Sequence, residues 1–382
     1  MDRNQVKVAI TGTGFIARGL TAAIEASPDL AVHKILTRRK IEDVSGVAKE
    51  YLTHSIHAFL EGADIVVECS GDVHHGTEVI LEALSKSLPV ITMNSELQVT
   101  TGSYLSQCGY LTEAEGDQPG SLAALAENAR AMGFSPLVYG NIKGFLNENP
   151  TVEEMQYWSQ KNGLSLEMVT SFTDGTKVQI EQALVANGLG ADIAVRGLKG
   201  SPADYLEQGA HELACAASIH GQSISDYILC PSAPPGVFIT ATHDLNQAAA
   251  LDYLKLGKGP YYTLTQPFHL CHLEIMKTIR RVIQGGDILL NNGLSPKIGV
   301  AAVTKRNLKP EELIKKGIGS FQVRGEAIRL SEEPNHIPIG LLRDAVVKRP
   351  IEPGQILTFD DVEIEESTAL RAWRASCAEA TV

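Results

Sequence analysis

The stretch of sequence that decides the fold is VKVAITGTGFIA, residues 6–17. Its first half is a continuous apolar run typical of a buried strand, and small and apolar residues continue from Gly19 to Glu25 as in a helix. The turn between them reads G-x-G-x-x-A, in which Gly12 permits a tight turn and Gly14 lets backbone N–H groups reach a pyrophosphate. Ala17 lets the helix pack close to the sheet. This context predicts a dinucleotide-binding βαβ unit; the alternative is a structural glycine turn in another βαβ unit.

Length and composition place the chain among ordinary globular proteins. Its 382 residues suffice for two or three domains of about 150 residues each, and 44% hydrophobic and 20% charged residues exclude disorder and low complexity. The 33 Lys and Arg against 45 Asp and Glu give a formal net charge of −12, which argues against a nucleic-acid or anionic-membrane partner. Phosphorylated ligands need only a local positive pocket and stay compatible with this charge.

The cysteines and the terminal sequence indicate the cellular compartment. The six cysteines lie far apart without a CxxC pair, several of them in apolar runs, so we expect buried thiols in a reducing compartment. The amino terminus leads directly into a strand pattern without a signal-peptide core, and no apolar stretch reaches the roughly 20 residues that span a bilayer. The sequence therefore predicts a cytoplasmic protein.

The end of the second predicted strand indicates the cofactor. Residues 30–36 form an apolar strand pattern that ends in Thr37-Arg38-Arg39-Lys40. NAD-specific folds place an Asp or Glu near this point to hold the ribose 2′-hydroxyl, whereas hydroxyl and cationic side chains suit the 2′-phosphate of NADP. We therefore predict NADP; the alternative is a solvated basic turn.

Polar residues follow two further strand patterns. Residues 63–71 end in Ser70 and Gly71, and the next strand pattern ends before Asn94, at carboxyl ends where cofactors lie. Asn94 and Glu96 could instead cap a helix. The predicted fold class is α/β with a Rossmann-type, doubly wound parallel sheet. The predicted cofactor-binding residues are Gly12, Gly14, Phe15, Ile16, Thr37, Arg38, Arg39, Ser70, Gly71 and Asn94.

The middle of the chain carries two polar motifs beside predicted regular elements. In Gly140-Asn141-Ile142-Lys143-Gly144, a cation and an amide at a strand exit suit a polarised substrate oxygen. Residues 164–172 alternate like a strand and lead into Asp174 and an apolar helix, on which Lys177 and Glu181 share a face. Three ionisable groups at the opening of an apolar helix would be costly to bury without a function. The alternative is a surface ion pair.

Four side chains able to bind a metal lie close together in the sequence, at His269, Cys271, His272 and Glu274. None of them has the i, i+4 spacing of an HExxH helix, and no second cluster accompanies them. We therefore favour an imidazole that faces the substrate, at His269, or a satisfied buried histidine over a zinc site.

The last segment contains an internal repeat. Residues 302–313 reappear as residues 345–356, each copy with a short β stretch, a basic pair and a turn that contains proline. Two related β units predict a small β-rich domain rather than a solenoid. The predicted domains are residues 1–144, which bind the dinucleotide, residues 145–294, an α+β catalytic domain, and residues 295–382, the β-rich domain with a C-terminal helix.

Several of these motifs resemble known families. Residues 12–17, 64–71 and 92–94 are similar to the NAD(P)-binding domain of homoserine dehydrogenases, and the repeat, with its R-x-[LI]-x-P/G pattern, resembles an SAF domain. The whole combination resembles the DXR-like oxidoreductases over nearly the entire chain. The middle motifs that carry this resemblance are Gly116-Asp117-Gln118-Pro119-Gly120, Gly140-Asn141-Ile142-Lys143-Gly144 and Thr173-Asp174-Gly175-Thr176-Lys177.

The resemblance implies an NADP-dependent enzyme. In one branch of the family, it implies the reductive isomerisation of 1-deoxyxylulose 5-phosphate to 2-C-methylerythritol 4-phosphate, a step of isoprenoid biosynthesis. Homoserine dehydrogenases carry Asn-Lys where this chain has Asn94-Ser95, so homoserine oxidation is not expected.

If the protein is an enzyme that transfers a hydride between NADPH and a carbonyl, the ionisable residues of the middle motifs have expected roles. Lys143 or Lys177 would polarise a carbonyl oxygen, and Asp174 or Glu181 would orient the lysine or pass a proton. If a rearrangement precedes hydride transfer, Mg²⁺ or Mn²⁺ would chelate adjacent oxygens, with Asp117 and Glu181 as the available carboxylates.

Two other functions stay open from the sequence. One is a simple NADP-dependent dehydrogenase of a small hydroxy acid or aldehyde, and the other is a non-catalytic NADP-binding sensor that recruits a partner through its SAF-like domain. Clustered ionisable residues outside the Rossmann domain favour an enzyme. We expect a phosphorylated small-molecule substrate, no nucleic-acid or membrane partner, and a homo-oligomer.

Overall fold

The computed structural model describes residues 5–379. The strands are β1 (Val6–Thr11), β2 (Leu30–Leu36), β3 (Leu52–Thr53), β4 (Ile65–Glu68), β5 (Val90–Thr92), β6 (Leu111–Glu113), β7 (Ser135–Lys143), β8 (Ser201–Pro202), β9 (Ile224–Leu229), β10 (Gly236–Thr242), β11 (Tyr262–Gln266), β12 (Ile298–Thr304), β13 (Leu313–Lys316), β14 (Val323–Arg329), β15 (Arg343–Val347) and β16 (Val362–Glu363). The α-helices are α1 (Phe15–Glu25), α2 (Ile56–Leu60), α3 (Val73–Ser85), α4 (Ser95–Leu97), α5 (Ser103–Cys108), α6 (Gln118–Ala131), α7 (Val152–Asn162), α8 (Leu166–Thr173), α9 (Thr176–Leu189), α10 (Leu206–His220), α11 (Ala248–Tyr253), α12 (Cys271–Ile283) and α13 (Thr368–Glu379). A π-helical segment covers Gln98–Gly102, and 3₁₀ turns lie at Ile41–Asp43, Lys49–Tyr51, Leu245–Gln247 and Ile339–Leu341.

The described chain forms two compact units that are discontinuous in sequence. The first comprises the chain up to Ser121, His269–Leu294 and the part from Thr368 onward, and the second comprises Leu122–Phe268 and Ser295–Ser367. This division differs from the continuous domains predicted at 1–144, 145–294 and 295–382. One reason is that β7 pairs with β9 and β10 of the second unit. The other is that α12 and α13 return to pack on helices of the first unit.

The first unit is built on a six-stranded parallel sheet with the order β3-β2-β1-β4-β5-β6. Successive residues of β1 point to opposite faces, so Val8 and Ile10 join the core beneath α1 and α12, whereas Ala9 joins the core beneath α3 and α5. The strand order reverses between β1 and β4, which is where α/β sheets of this kind bind ligands. The predicted Rossmann-type α/β fold is confirmed.

The second unit contains a mixed five-stranded sheet with the order β11-β10-β7-β9-β8. Here β10 is antiparallel to β11 and β7, whereas β9 is parallel to β7 and β8. Tyr139 and Val185 share a core on the side of α9, and Val138 and Leu213 share one on the side of α10. The strand β7 is thus packed on both faces along its buried part, and Lys143 lies at its end.

The internal repeat forms two small antiparallel sheets, β12-β14 and β13-β15-β16, in the same unit. Leu308 and Ile351, which occupy the same position in the two copies, exchange backbone N–H···O hydrogen bonds of 2.9 and 3.1 Å. The bond from Thr304 N–H to the carbonyl oxygen of Gln355 is matched by one from Val347 to Glu312, both 3.0 Å. The two copies are thus related by a local two-fold axis in their hydrogen bonding.

One predicted strand is a helix. Residues 164–172 were expected to form a strand because apolar and polar residues alternate, but Leu166–Thr173 form α8. Ser165 caps this helix by accepting a hydrogen bond from the N–H of Met168 at 3.2 Å, and the Thr170 hydroxyl donates to the carbonyl oxygen of Leu166 at 2.8 Å. A short run of alternating apolar and polar residues is compatible with a strand or with a helix. Here the hydrogen bond that caps the segment at Ser165 favours the helix.

Two further observations concern the whole described chain. Within residues 5–379, no helix has the length and apolarity needed to cross a membrane. All six cysteines are free thiols; Cys230 is buried, whereas Cys108 and Cys377 are exposed.

Candidate functional site

The glycine motif forms the turn between β1 and α1. Gly12 has a left-handed φ of 106°, and a Cβ there would lie 2.9 Å from the carbonyl oxygen of Cys69, so the turn requires glycine. Among the described residues, no heavy atom beyond the chain neighbours lies within 4 Å of the position that a Cβ would take at Gly14 or at Gly71. Ala17 is buried against the sheet. This open space at the start of α1 fits a pyrophosphate held by backbone N–H groups.

The basic segment after β2 makes several contacts within the first unit. Thr37 is buried, its Oγ1 accepts a hydrogen bond from the N–H of Arg39 at 3.1 Å, and its carbonyl oxygen lies 2.7 Å from Nδ1 of His54. The half-exposed Arg38 donates to the carboxylate of Asp72 at 2.8 Å. A 2′-phosphate beside Arg38 would therefore share this guanidinium with the Asp72 carboxylate.

A buried carboxylate organises the polar residues that follow β4 and β5. Glu68 Oε1 accepts hydrogen bonds from the N–H (2.7 Å) and the hydroxyl of Ser70, and its Oε2 accepts one from the hydroxyl of Thr92 at 3.1 Å. Burial raises the pKa of Glu68, and these hydrogen bonds oppose that shift. Asn94 Oδ1 accepts from the N–H of Leu97 at 3.1 Å and so caps α4, the alternative role considered for it. Sequence reasoning missed Glu68, although an acid inside an apolar strand is itself a signal.

The histidine segment belongs to the first unit and packs on α1. The rings of His272 and Phe15 meet edge to face, with centroids 5.7 Å apart. A Cβ at Gly19 would lie 2.5 Å from the His272 ring, which shows how closely α12 approaches α1. Ile16 is partly buried, and His269 is exposed just before α12. His272 therefore supports the nucleotide turn, and a substrate contact by His269 stays a prediction.

Asp117 lies in a turn that packs on α12. A Cβ at Gly116 would lie 2.5 Å from the carbonyl oxygen of Cys271, and the hydroxyl of Ser95 donates to Oδ2 of Asp117 at 3.4 Å. Asp117 belongs to the first unit and Glu181 to the second. Over residues 5–377, no three His, Cys, Asp or Glu side chains are grouped so that they could hold a metal ion. The metal site predicted from Asp117 and Glu181 thus stays a prediction.

The second unit brings together the two lysines and one of the carboxylates that the sequence singled out. Nζ of Lys143, at the end of β7, lies 3.3 Å from Oε2 of Glu181, and Nζ of Lys177 lies 3.9 Å from Oε1. Nδ2 of Asn141 donates to the same Oε2 at 2.9 Å. The side chains of Lys143, Lys177 and Glu181 are 20%, 13% and 3% exposed, so this cluster is not a surface ion pair.

Asp174 pairs with a lysine that sequence reasoning missed. Nζ of Lys305, in the first copy of the repeat, lies 2.5 Å from Oδ2 of Asp174 and 2.6 Å from the carbonyl oxygen of Ser320. Burial lowers the pKa of Lys305, and the Asp174 carboxylate opposes that shift. Asp174 was expected to join Lys177, but its ion-pair partner is Lys305. The basic pair in the repeat was the available signal.

Two family models match successive parts of the chain. Residues 12–118 match the model for the NAD-binding domain of homoserine dehydrogenase, and residues 116–275 match the model for the catalytic domain of the oxidoreductase DRL. No curated protein matches the chain.

Similar solved structures include a myo-inositol dehydrogenase from Corynebacterium glutamicum, which is 13% identical, with 74% of this chain and 88% of that chain covered and a TM-score of 0.43. Another is the UDP-N-acetylglucosamine 3-dehydrogenase from Acidithiobacillus ferrooxidans, which is 10% identical, with 75% and 92% covered and a TM-score of 0.43.

Proposed function

We propose that this chain, which joins a match to the catalytic domain of the oxidoreductase DRL to a match to the NAD-binding domain of homoserine dehydrogenase, is an oxidoreductase that reduces a carbonyl group with NADPH. The substrate is a small, highly oxygenated, phosphorylated compound, with 1-deoxyxylulose 5-phosphate as the first candidate. The choice of NADPH rests on Thr37, Arg38 and Arg39, which stand where NAD-specific folds carry an acid.

The observation that carries this proposal is the buried cluster of Lys143, Lys177 and Glu181. A mostly buried ammonium group is a strong hydrogen-bond donor toward a carbonyl oxygen, because the low local dielectric strengthens its attraction to developing negative charge. The Glu181 carboxylate lies 3.3 and 3.9 Å from the two ammonium groups and restricts where they lie. A non-catalytic sensor would gain nothing from such a cluster outside the nucleotide-binding unit.

The bound cofactor supplies the hydride, and the residues of the chain handle the oxygen. The ammonium group of Lys143 or Lys177 polarises the carbonyl in the ground state and donates a proton to the alkoxide that the reduction generates. Asn141 donates to the oxygen of Glu181 that also faces Lys143, so this carboxylate oxygen keeps a fixed position while the lysine changes its protonation state. Outside the nucleotide-binding unit the chemistry thus requires one lysine as the proton donor, with the acid and the amide that hold it in place.

The same cluster bears on whether a rearrangement precedes the reduction. A reductoisomerase would use Mg²⁺ or Mn²⁺ to hold adjacent substrate oxygens. Glu181 is a poor ligand for such an ion because ammonium groups lie 3.3 and 3.9 Å from its two oxygens and would repel a divalent cation. This observation favours, as a second candidate, a metal-independent NADP-dependent dehydrogenase of a small hydroxy acid or aldehyde.

A spectrophotometric assay tests the proposal. The purified protein is mixed with NADPH and 1-deoxyxylulose 5-phosphate, with Mg²⁺, Mn²⁺ or a chelator, and nicotinamide absorbance is followed while the product is identified by mass spectrometry. Oxidation that requires the metal and yields the branched polyol supports the reductoisomerase. Metal-independent turnover on a panel of aldehydes and hydroxy acids supports the simple dehydrogenase. Tight NADPH binding without turnover on any substrate contradicts the enzyme. The Glu181→Gln variant controls for activity that does not arise from this cluster.

A further inference from the structure

The helix that carries Lys177 and Glu181 is held by the repeat segment of the same unit. The Thr176 hydroxyl oxygen accepts a hydrogen bond from the N–H of Gly325, and Oε1 of Gln179 accepts one from the N–H of Ala327, each of 2.8 Å. Gly325 and Ala327 are alternate residues of β14, so both N–H groups point from one edge of that strand toward α9. The segment from Ser295 to Ser367 therefore supports this helix directly.

The first turn of α9 is fixed by a buried ion pair. Oδ1 of Asp174 accepts a hydrogen bond from the N–H of Thr176 at 2.9 Å, which satisfies one of the free N–H groups at the start of the helix. Its other oxygen, Oδ2, lies 2.5 Å from Nζ of Lys305. The side chains of Lys305 and Asp174 are 4% and 0% exposed, so each charge depends on the other for compensation.

The repeat shows which contact of Lys305 is specific to this site. Lys348 occupies the equivalent position in the second copy, and its Nζ donates to the carbonyl oxygen of Phe359 at 3.0 Å, as Nζ of Lys305 donates to that of Ser320 at 2.6 Å. The bond to a backbone carbonyl is therefore common to both copies and belongs to the architecture of the repeat. The ion pair with Asp174 is present only in the first copy among the described residues, where the lysine is buried instead of exposed.

We propose that Lys305 is a positioning residue, which fixes the first turn of α9 through Asp174 and so holds the helix that presents the lysine–carboxylate cluster. If Lys305 is replaced by an uncharged residue, the buried Asp174 carboxylate loses its ion-pair partner. It would then turn toward water, and its hydrogen bond from the N–H of Thr176 would be lost. The catalytic consequence rests on the proposed function, because Lys177 and Glu181 matter for turnover only if they polarise the substrate.

Hydrogen–deuterium exchange tests the proposal without any substrate. Lys305→Met is compared with the wild type and with Lys348→Met, which removes the repeat-equivalent lysine. In Lys305→Met, amides of residues 174–181 should exchange about tenfold faster or more, whereas Lys348→Met should leave them unchanged. Should Lys305→Met fail to fold, the double variant with Asp174→Asn leaves no buried charge unpaired and keeps an oxygen for the N–H of Thr176, so it is expected to fold and to show wild-type exchange over 174–181. Wild-type exchange over 174–181 in Lys305→Met, or faster exchange there in the double variant, would overturn the proposal.

Steady-state kinetics adds the functional half of the test. Lys305→Met should lower kcat by about tenfold to a hundredfold through misplacement of the helix, with the Kd for NADPH unchanged. Lys305→Arg retains a cation and should recover most of the exchange protection and of kcat. An equal loss of kcat in Lys305→Met and Lys348→Met would overturn the positioning role. Absence of turnover in the wild type would contradict the proposed function, while the exchange result would still decide the role of Lys305.

Discussion

Nζ of Lys143 lies 3.3 Å from Oε2 of Glu181, although 38 positions separate the two residues in the chain. The lysine ends a strand of the central sheet in the second unit, and the acid lies one turn into the helix that packs on that sheet. Glu181 is only 3% exposed, so its charge is stabilised by these neighbours and not by water. The pair therefore ties the position of the helix to the strand.

Glu181→Gln removes the charge and keeps the shape of the side chain. We expect turnover to fall by about a hundredfold or more, because neither lysine is then held in place. Stability should fall by about 2 kcal/mol, less than for a fully buried ion pair, because the lysines retain some contact with water. Steady-state kinetics and urea unfolding measure the two effects.

The matched control is Glu212→Gln, at an exposed ion pair with Lys199, which should lower the free energy of unfolding by about 1 kcal/mol or less. Wild-type turnover in Glu181→Gln would contradict the proposed site.

Lys143→Met and Lys177→Met remove one ammonium group each and keep most of the apolar stem. Each should lower turnover by about a hundredfold, while the melting temperature and the Kd for NADPH change little. The control is Lys86→Met, since Lys86 forms an i, i+4 pair with Glu82 as Lys177 does with Glu181, but on an exposed surface. Full activity in both variants would show that the cluster has only a structural role.

The nucleotide-binding sheet could be predicted from the sequence because its signals are local. A buried parallel strand is a continuous apolar run, and the glycine turn at Gly12 and Gly14 follows it within a few residues. The pairing of Lys177 with Glu181 was also predictable, since residues four apart share a face of any helix. In each case, one element or two adjacent elements contain the whole pattern.

What could not be predicted depends on contacts between distant segments. The partner of Asp174 is 131 positions away at Lys305, and nothing in the local sequence distinguishes Lys305 from its repeat equivalent, Lys348. The return of α12 to the first unit likewise depends on Ile275 and Ile279 finding the core under α1. Apolar periodicity shows that a helix has a buried face, but it does not show which sheet that face covers.

Glu312 provides a pH dependence of stability in the repeat. Its hydrogen bond with Arg306 lowers the pKa of Glu312 to about 2 from the ordinary value of 4.5. Since the folded-state pKa is depressed, this contribution is fully present above pH 4.5 and is lost as the pH falls toward about 2. After allowance for solvent around the half-exposed Arg306, it amounts to about 1 kcal/mol. Gln occupies the same position in the second copy, at Gln355, so Glu312→Gln is a natural replacement.

Urea unfolding at several pH values measures this contribution. The difference between the wild type and Glu312→Gln should be largest near neutral pH and should vanish near pH 2. Glu352→Gln, at an exposed position in the second copy, should change stability little at either pH. A difference between the wild type and Glu312→Gln that does not depend on pH would rule out the ion pair as its cause.

The cofactor preference follows from the cations after β2. The wild type should bind NADPH more tightly than NADH, and Arg38→Ala with Arg39→Ala should narrow that gap by about 1–3 kcal/mol if both guanidinium groups contact the 2′-phosphate. Calorimetric titration with each cofactor gives the four dissociation constants. Equal or tighter binding of NADH by the wild type would contradict the assignment of NADP.

Asp72 should set the strength of that preference, because its carboxylate lies 2.8 Å from the Arg38 guanidinium that would meet the phosphate. Asp72→Asn keeps the oxygen that accepts the N–H of His75 at 3.0 Å and caps α3, so the helix should stay intact. Loss of the competing charge at an exposed pair should tighten NADPH binding by about twofold to fivefold and leave NADH binding unchanged. Asp64→Asn, at the opposite end of β4, is the control and should change neither constant. If Asp72→Asn strengthens the binding of both cofactors equally, Arg38 does not recognise the phosphate.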